Sequence, residues 1–319
     1  MRLKELYDLA VATGMKNDPR GEDELRRVLE EARKRYDKLD EDDKSSFDTE
    51  SLSNPYSDTR VMVGDPDMEI TGIIAGIDME VGEVLLADRL NERGADINLV
   101  LAHHPEGKAL ASLADVMSMQ ADVWHTFGVP INIAEALIGP RMGEVRRNLM
   151  PVNHARATDA ARLLGLGFIT IHTAADNMVT KFVQDYLDGQ EPRTLRDVVK
   201  ALRKIPEYEQ AALENAGPSI VVGDSDRRAG KIAVDMTGGT EGPEGAIEKL
   251  ADAGVGTLVG MHYGEKLRKK AEERHINVVV AGHIASDTIG LNRILDAVEA
   301  QAGPMDVVAA SGFRRVRRD

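Results

Sequence analysis

Five of the chain's eight histidines stand directly after short β-branched runs. His103 and His104 follow INLVLA, His172 follows FITI, His262 follows TLVGM and His283 follows VVVAG. Side chains that leave the carboxyl ends of strands in an open α/β sheet sit where such folds bind ligands. Two of the five carry a carboxylate four residues on, as HTAAD (His172, Asp176) and HIASD (His283, Asp287). If a helix starts there, imidazole and carboxylate face one point, the spacing of helix-borne metal pairs. Each part has an ordinary reading as well. A lone histidine at a strand end is often a core residue, and an Asp at a helix N-terminus is favoured by the dipole and can cap it. The recurrence of the pattern beside adjacent histidines favours metal. Neighbouring imidazoles on extended chain point apart, so His103 and His104 suit two ions about 3.5–4 Å apart, bridged by a carboxylate, better than one. With no cysteine in the chain, ligands are limited to His and acids, which favour Zn, Mn, Fe or Co over copper or calcium.

Other motifs carry less. The turn DMTGGTEGPEG, Asp235 to Gly245, precedes the helical pattern AIEKLADAG. Its amides could cradle a phosphate at a helix N-terminus, or it is a plain β-to-α loop, since it has neither a Walker lysine nor a dinucleotide fingerprint. Asp58 and Asp78, in DTRVMVG and GIDME, read as structural acids. No GxSxG marks a serine nucleophile, and nothing points to paired-carboxylate glycosidase chemistry.

The elements that must position these groups alternate as in α/β proteins. Strands are predicted at 60–63, 70–77, 97–102, 168–171, 219–222, 232–234, 257–259 and 278–281, with a helical connector over 187–218. The pattern implies two α/β lobes with mixed or parallel sheets: 58–180 for the first, 181–319 for the second. Residues 1–57 form a charged helical leader, in which Leu25, Val28, Leu29, Ala32 and Tyr36 share one face, followed by a polar loop from Asp40. No tandem repeat of solenoid type is present. With 319 residues, 54 acids and 40 bases, the net charge is −14, which disfavours nucleic acid as a partner. The basic end, Arg314, Arg315, Arg317 and Arg318, reads as a solvated tail or an intersubunit salt-bridging segment rather than an RNA contact. No run suits a membrane helix, and the charged start argues against a signal peptide, so a soluble, cytoplasmic protein is expected.

In order along the chain, the segment Asn54 to Gly64, LAHHP, ITIHTAAD and AGHIASD resemble motifs of the NIF-three-like proteins, also called GTP cyclohydrolase I type two homologues. The last two are similar to that family's HTxxD and GHxxSE. The resemblance implies a two-lobed chain assembling into a ring-like homohexamer, with a dinuclear metal site in the cleft between lobes. It also implies the ligands His103, His104, Asp176, His283 and Asp287, with His172 beside them. Asp287 replaces a glutamate that bridges both ions in the family, a reach shorter by about 1.5 Å, one carbon–carbon bond. The charged leader is a second departure. Two divalent ions (Zn, Fe, Mn or Co) would activate water for hydrolysis of a small anionic substrate such as a nucleotide or phosphate ester. His172 would accept or relay the proton, with His262 and Glu265 as further candidates. The alternative is a non-enzymatic metal-binding scaffold or regulator.

Overall fold

The computed structural model describes residues 1–318. Nine strands form two mixed sheets. The first contains β1 (Arg60–Val63), β2 (Ile73–Gly76), β3 (Leu99–Ala102), β4 (Gly167–Thr170) and β9 (Val307–Ala309), in the order β1-β4-β3-β2-β9. The second contains β5 (Ser219–Val222), β6 (Lys231–Asp235), β7 (Val255–Gly260) and β8 (Asn277–Val280), in the order β5-β8-β7-β6. In each sheet one edge strand is antiparallel, β1 on β4 and β5 on β8, and the rest run parallel. Both edge strands shift register at the same step, after their second residue. They also carry similar sequences, VMVGDPD at Val61 and IVVGDSD at Ile220, so the two sheets are built on one plan.

The apolar runs of the parallel strands are explained by burial on both faces. Ile73, Leu99, Leu101 and Ile169 face one core while Ile74, Val100 and Phe168 face another, the period of two that a pleated strand imposes. In the second sheet, Val234, Val259 and Val279 face inward and Ala233, Leu258 and Val278 outward. Between the sheets lie two long helices, Thr173–Gln190 and His283–Ala302. Ala174, Ala175, Leu291, Ile294 and Leu295 pack on the first sheet, and Val179, Val183, Leu187 and Ile289 on the second. A helix with a sheet on each of two sides needs an apolar face toward both, and each of its fully buried Leu or Ile side chains contributes about 1.5–3 kcal/mol. The helices cross closely at Gly290, where an added Cβ would stand 2.4 Å from the Ala175 carbonyl oxygen. Residue 180 lies within the first of them.

The helix Leu3–Lys16 buries Leu3, Leu6 and Ala10 in the same core as the first sheet, while Glu22–Asp37 buries only Leu25 and Ala32. The polar stretch after it, expected as loop, holds a short helix at Glu41–Ser46 and a 3-10 turn at Thr49–Leu52, with no residue of either buried. Its acids explain the difference: Asp40 accepts from the Asp43 amide at 2.9 Å and caps the helix Glu41–Ser46. The strand-poor connector folds as helices Leu195–Leu202 and Pro206–Leu213.

The basic end is not a free tail but is paired within its own chain. Arg315 pairs with Asp296 at 2.6 Å and Glu299 at 2.9 Å, Arg317 with Glu299 at 3.0 Å, Arg314 with Glu214 and Arg318 with Glu207, all within the chain. Among the described residues no helix is long and apolar enough to cross a membrane.

Candidate metal centre

Three strand ends and the first turns of the two inner helices bring together His103, His104, His172, Asp176, His283 and Asp287. His103 and His104 follow β3, which is held in register by β2 and β4. Gly282, at φ 119°, turns the chain from β8 into its helix, and a Cβ there would lie 2.6 Å from the Ala216 carbonyl oxygen. Only glycine fits that turn.

His103 is fully buried, and its Nδ1–H donates to the Ile171 carbonyl at 3.1 Å. That leaves Nε2 as an acceptor, 3.4 Å from both Asp176 Oδ1 and Asp287 Oδ1. These atoms, with Asp287 Oδ2, are buried without hydrogen-bond partners. Acceptors facing one another in a dry interior are repulsive unless a proton or a cation sits among them. Burial works against charging His103, yet Asp287 and Asp176 outweigh it and raise its pKa to about 10. For Asp287, burial is likewise outweighed: imidazoles 103, 104 and 283 hold it well below the usual carboxylate range.

The second oxygen of Asp287 serves different neighbours. His104 Nε2 and His283 Nε2 each lie 3.5 Å from Oδ2. Two groups of atoms close enough to share an ion result, His103–Asp176–Asp287 and His104–His283–Asp287, with Asp287 common to both. Although one methylene short, Asp287 thus presents one oxygen to each group. The donor set fits divalent transition-metal ions, which would displace the proton held among these groups and take imidazole nitrogens and ionised carboxylates as ligands. His104 is raised in pKa, burial notwithstanding, by Asp287 and Asp78, and His283 is lowered, chiefly by burial.

The acids assigned a structural role in the sequence prove to hold the imidazoles. Asp78 Oδ1 accepts from His104 Nδ1 at 2.6 Å. Asp58, fully buried, accepts from His172 Nδ1 at 2.8 Å and Thr173 Oγ1 at 2.6 Å. Burial notwithstanding, these donors lower its pKa. Such carboxylate–histidine pairs fix the ring and its tautomer. His172 therefore turns Nε2 toward Asp176 Oδ2, 3.8 Å away, and it also groups with His103 and His104.

A cavity of about 300 Å³ opens over the cluster, lined by His104, His172, Asp176 and His283 and by the loop from Thr237 to Pro243. This is the glycine turn; Gly238 and Gly239 have φ of 96° and 85°, and Gln120 Nε2 donates to the carbonyls of Gly238 and Thr240 at 2.6 Å. His262 also lines the cavity, its ring 4.7 Å from that of His283. Glu265 does not. It is exposed and bound to Arg268 at 2.8 Å, which removes it as a proton acceptor at this centre.

No protein-family model and no curated protein matches the chain. Among solved structures, the chain is similar to a NIF3 superfamily protein from Sphaerobacter thermophilus, at 30% identity and TM-score 0.70, over 81% of this chain and 92% of that one. Reduced HcgD from Methanocaldococcus jannaschii shares the fold, with TM-score 0.53 at 13% identity over 84% of this chain and 94% of that one. Given the first match in particular, this chain belongs to the NIF3 superfamily.

Proposed function

We propose that this protein is a metal-dependent hydrolase of a small anionic substrate, such as a phosphate ester or nucleotide. Two divalent ions (Zn, Fe, Mn or Co) are held by His103, His104, Asp176, His283 and Asp287. The observation that carries the reading is the convergence of buried, unpartnered acceptors, His103 Nε2, Asp176 Oδ1 and both oxygens of Asp287. Two dications facing the cavity would attract an anionic group directly. When bound, such ions polarise the scissile group and lower the pKa of water. The chain's own groups do the rest. His172 Nε2 accepts the proton, since Asp58 occupies Nδ1–H and stabilises the imidazolium that forms. Asp78 keeps His104 Nε2 turned to Asp287.

The test is a screen of phosphate mono- and diesters with chelator-treated protein, before and after addition of Mn, Zn, Fe or Co. Metal-restored turnover that is lost in His104→Ala and Asp287→Ala is expected; full turnover after complete metal removal contradicts the reading. A second reading, a metal-binding scaffold or regulator, is favoured by one feature: Asp176 and Asp287 lie on helices that pack on both sheets, so shared ions would tie these elements together. It predicts a large chelator-induced loss of thermal stability with no turnover of any ester. Assembly as a homohexamer belongs to the same proposal, and light scattering measures it.

A further inference from the structure

The cavity is larger than a metal-bound phosphate needs, and the part that remains has its own chemistry. Leu110, Leu113, Ile247, Leu250 and Leu267 give it apolar walls. Three polar side chains among them lack partners. Trp124, 2% exposed, has an indole N–H without an acceptor, and the buried Tyr263 hydroxyl is also unpartnered. Asp235, at the end of β6, is half-buried on the cavity wall, and its carboxyl makes no hydrogen bond or ion pair among the described residues; the burial it has pushes that carboxyl up to about 6. Buried donors and acceptors in native proteins are nearly always satisfied, and an apolar pocket with a few unsatisfied polar groups is the usual form of a small-molecule site. None of the three contributes to the metal-capable groups.

We infer that this wing of the cavity binds the organic part of the substrate, a flat aromatic ring carrying N–H donors, while the anion lies at the metal cluster. This rests on the proposed function for the place of the anion, though not for the place of the ring. The apolar walls take the faces of the ring, Trp124 Nε1–H meets a ring acceptor, and Asp235, with Tyr263 near it, meets an amino group. A carboxylate left without a donor selects for a ligand that supplies one, because analogues lacking the donor leave it unpaired. The substrates assigned are therefore phosphate esters of amino-bearing aromatic or heteroaromatic compounds, in preference to sugar or alkyl phosphates.

The chain's single tryptophan is Trp124, so its intrinsic fluorescence reports occupancy of this wing without reference to turnover. Metal-loaded protein is titrated with AMP, phenyl phosphate and ribose 5-phosphate, and metal-free protein with adenosine. AMP is expected to bind at least tenfold tighter than ribose 5-phosphate, with phenyl phosphate between, and adenosine to perturb Trp124 without metal. Asp235→Asn should lower the AMP to phenyl phosphate affinity ratio several-fold, a selectivity that general damage to the fold would not produce. Equal affinities for the three phosphates, or no response to adenosine, overturn the assignment even where phosphate hydrolysis is found. Ring binding without metal-dependent hydrolysis in any ester leaves this wing standing and removes the proposed reaction.

Discussion

Replacing Asp58 by Asn tests whether His172 is held in a chosen tautomer. The wild-type carboxylate lies where His172 Nδ1, at 2.8 Å, and Thr173 Oγ1, at 2.6 Å, both donate to Oδ2, with the Thr173 amide 3.4 Å from Oδ1. Hydrogen bonds to a charged group are worth about 1.5–3 kcal/mol against about 0.5–1.5 for neutral ones, so neutralising the acceptor of two short bonds costs about 2 kcal/mol. The amide group of Asn adds a donor where donors already converge. The ring has an inexpensive way out: the proton moves to Nε2, and Nδ1 then accepts from the new amide. We expect Asp58→Asn to unfold about 2–3 kcal/mol more readily in urea, and to protonate His172 on Nε2. The second result is read from the imidazole nitrogens in ¹H–¹⁵N spectra of metal-free protein. With its Nε2 lone pair gone, metal-dependent hydrolysis should fall by about 10–100-fold, the usual cost of removing such a partner. Unchanged stability with the proton still on Nδ1 would refute the reasoning.

Two further outcomes follow from the packing and the buried charge. Gly290→Ala places a methyl group 2.4 Å from the Ala175 carbonyl oxygen, forcing apart the helices that carry Asp176 and Asp287; stability should fall by about 1–3 kcal/mol and metal affinity with it, and an unchanged denaturation midpoint would speak against that close crossing. The folded chain holds the Asp235 proton up to about pH 6, whereas the unfolded chain releases it near the ordinary carboxylate value, so stability declines as pH rises between about 4 and 6 and stays lower above. Asp235→Asn should remove that decline: allowing for partial exposure, its stability relative to wild type should improve by about 1–2 kcal/mol between pH 4 and pH 7.5, and a difference independent of pH would contradict the burial of that carboxyl.

The strands were legible because parallel strands covered on both faces need unbroken β-branched and aliphatic runs, and eight of them were placed to within a few residues. β9 was not, being three residues long and half-exposed. The likeness of the two sheets is also written in VMVGDPD and IVVGDSD, but a unit that recurs only once, about 160 residues on, leaves no periodicity of the solenoid kind. Spacing revealed HTAAD and HIASD as candidate ligands, since four residues along a helix is a local property. Asp58 and Asp78 escaped because their roles are tertiary: 114 residues separate Asp58 from His172 and 26 separate Asp78 from His104. The partners of the arginines near the C-terminus were hidden for the same reason, their acids lying on the helices Pro206–Leu213 and His283–Ala302 and in the turn just after the first of these.

The most direct measurement is the metal content of the purified chain together with anomalous diffraction at the absorption edge of the metal found. We expect two ions per chain about 3.5–4 Å apart, one among His103, Asp176 and Asp287 and one among His104, His283 and Asp287, both lost in Asp287→Ala. Metal-replete protein with no anomalous peak within coordination distance of Asp287, or Asp287→Ala that retains both ions, would contradict a centre built on that shared carboxylate.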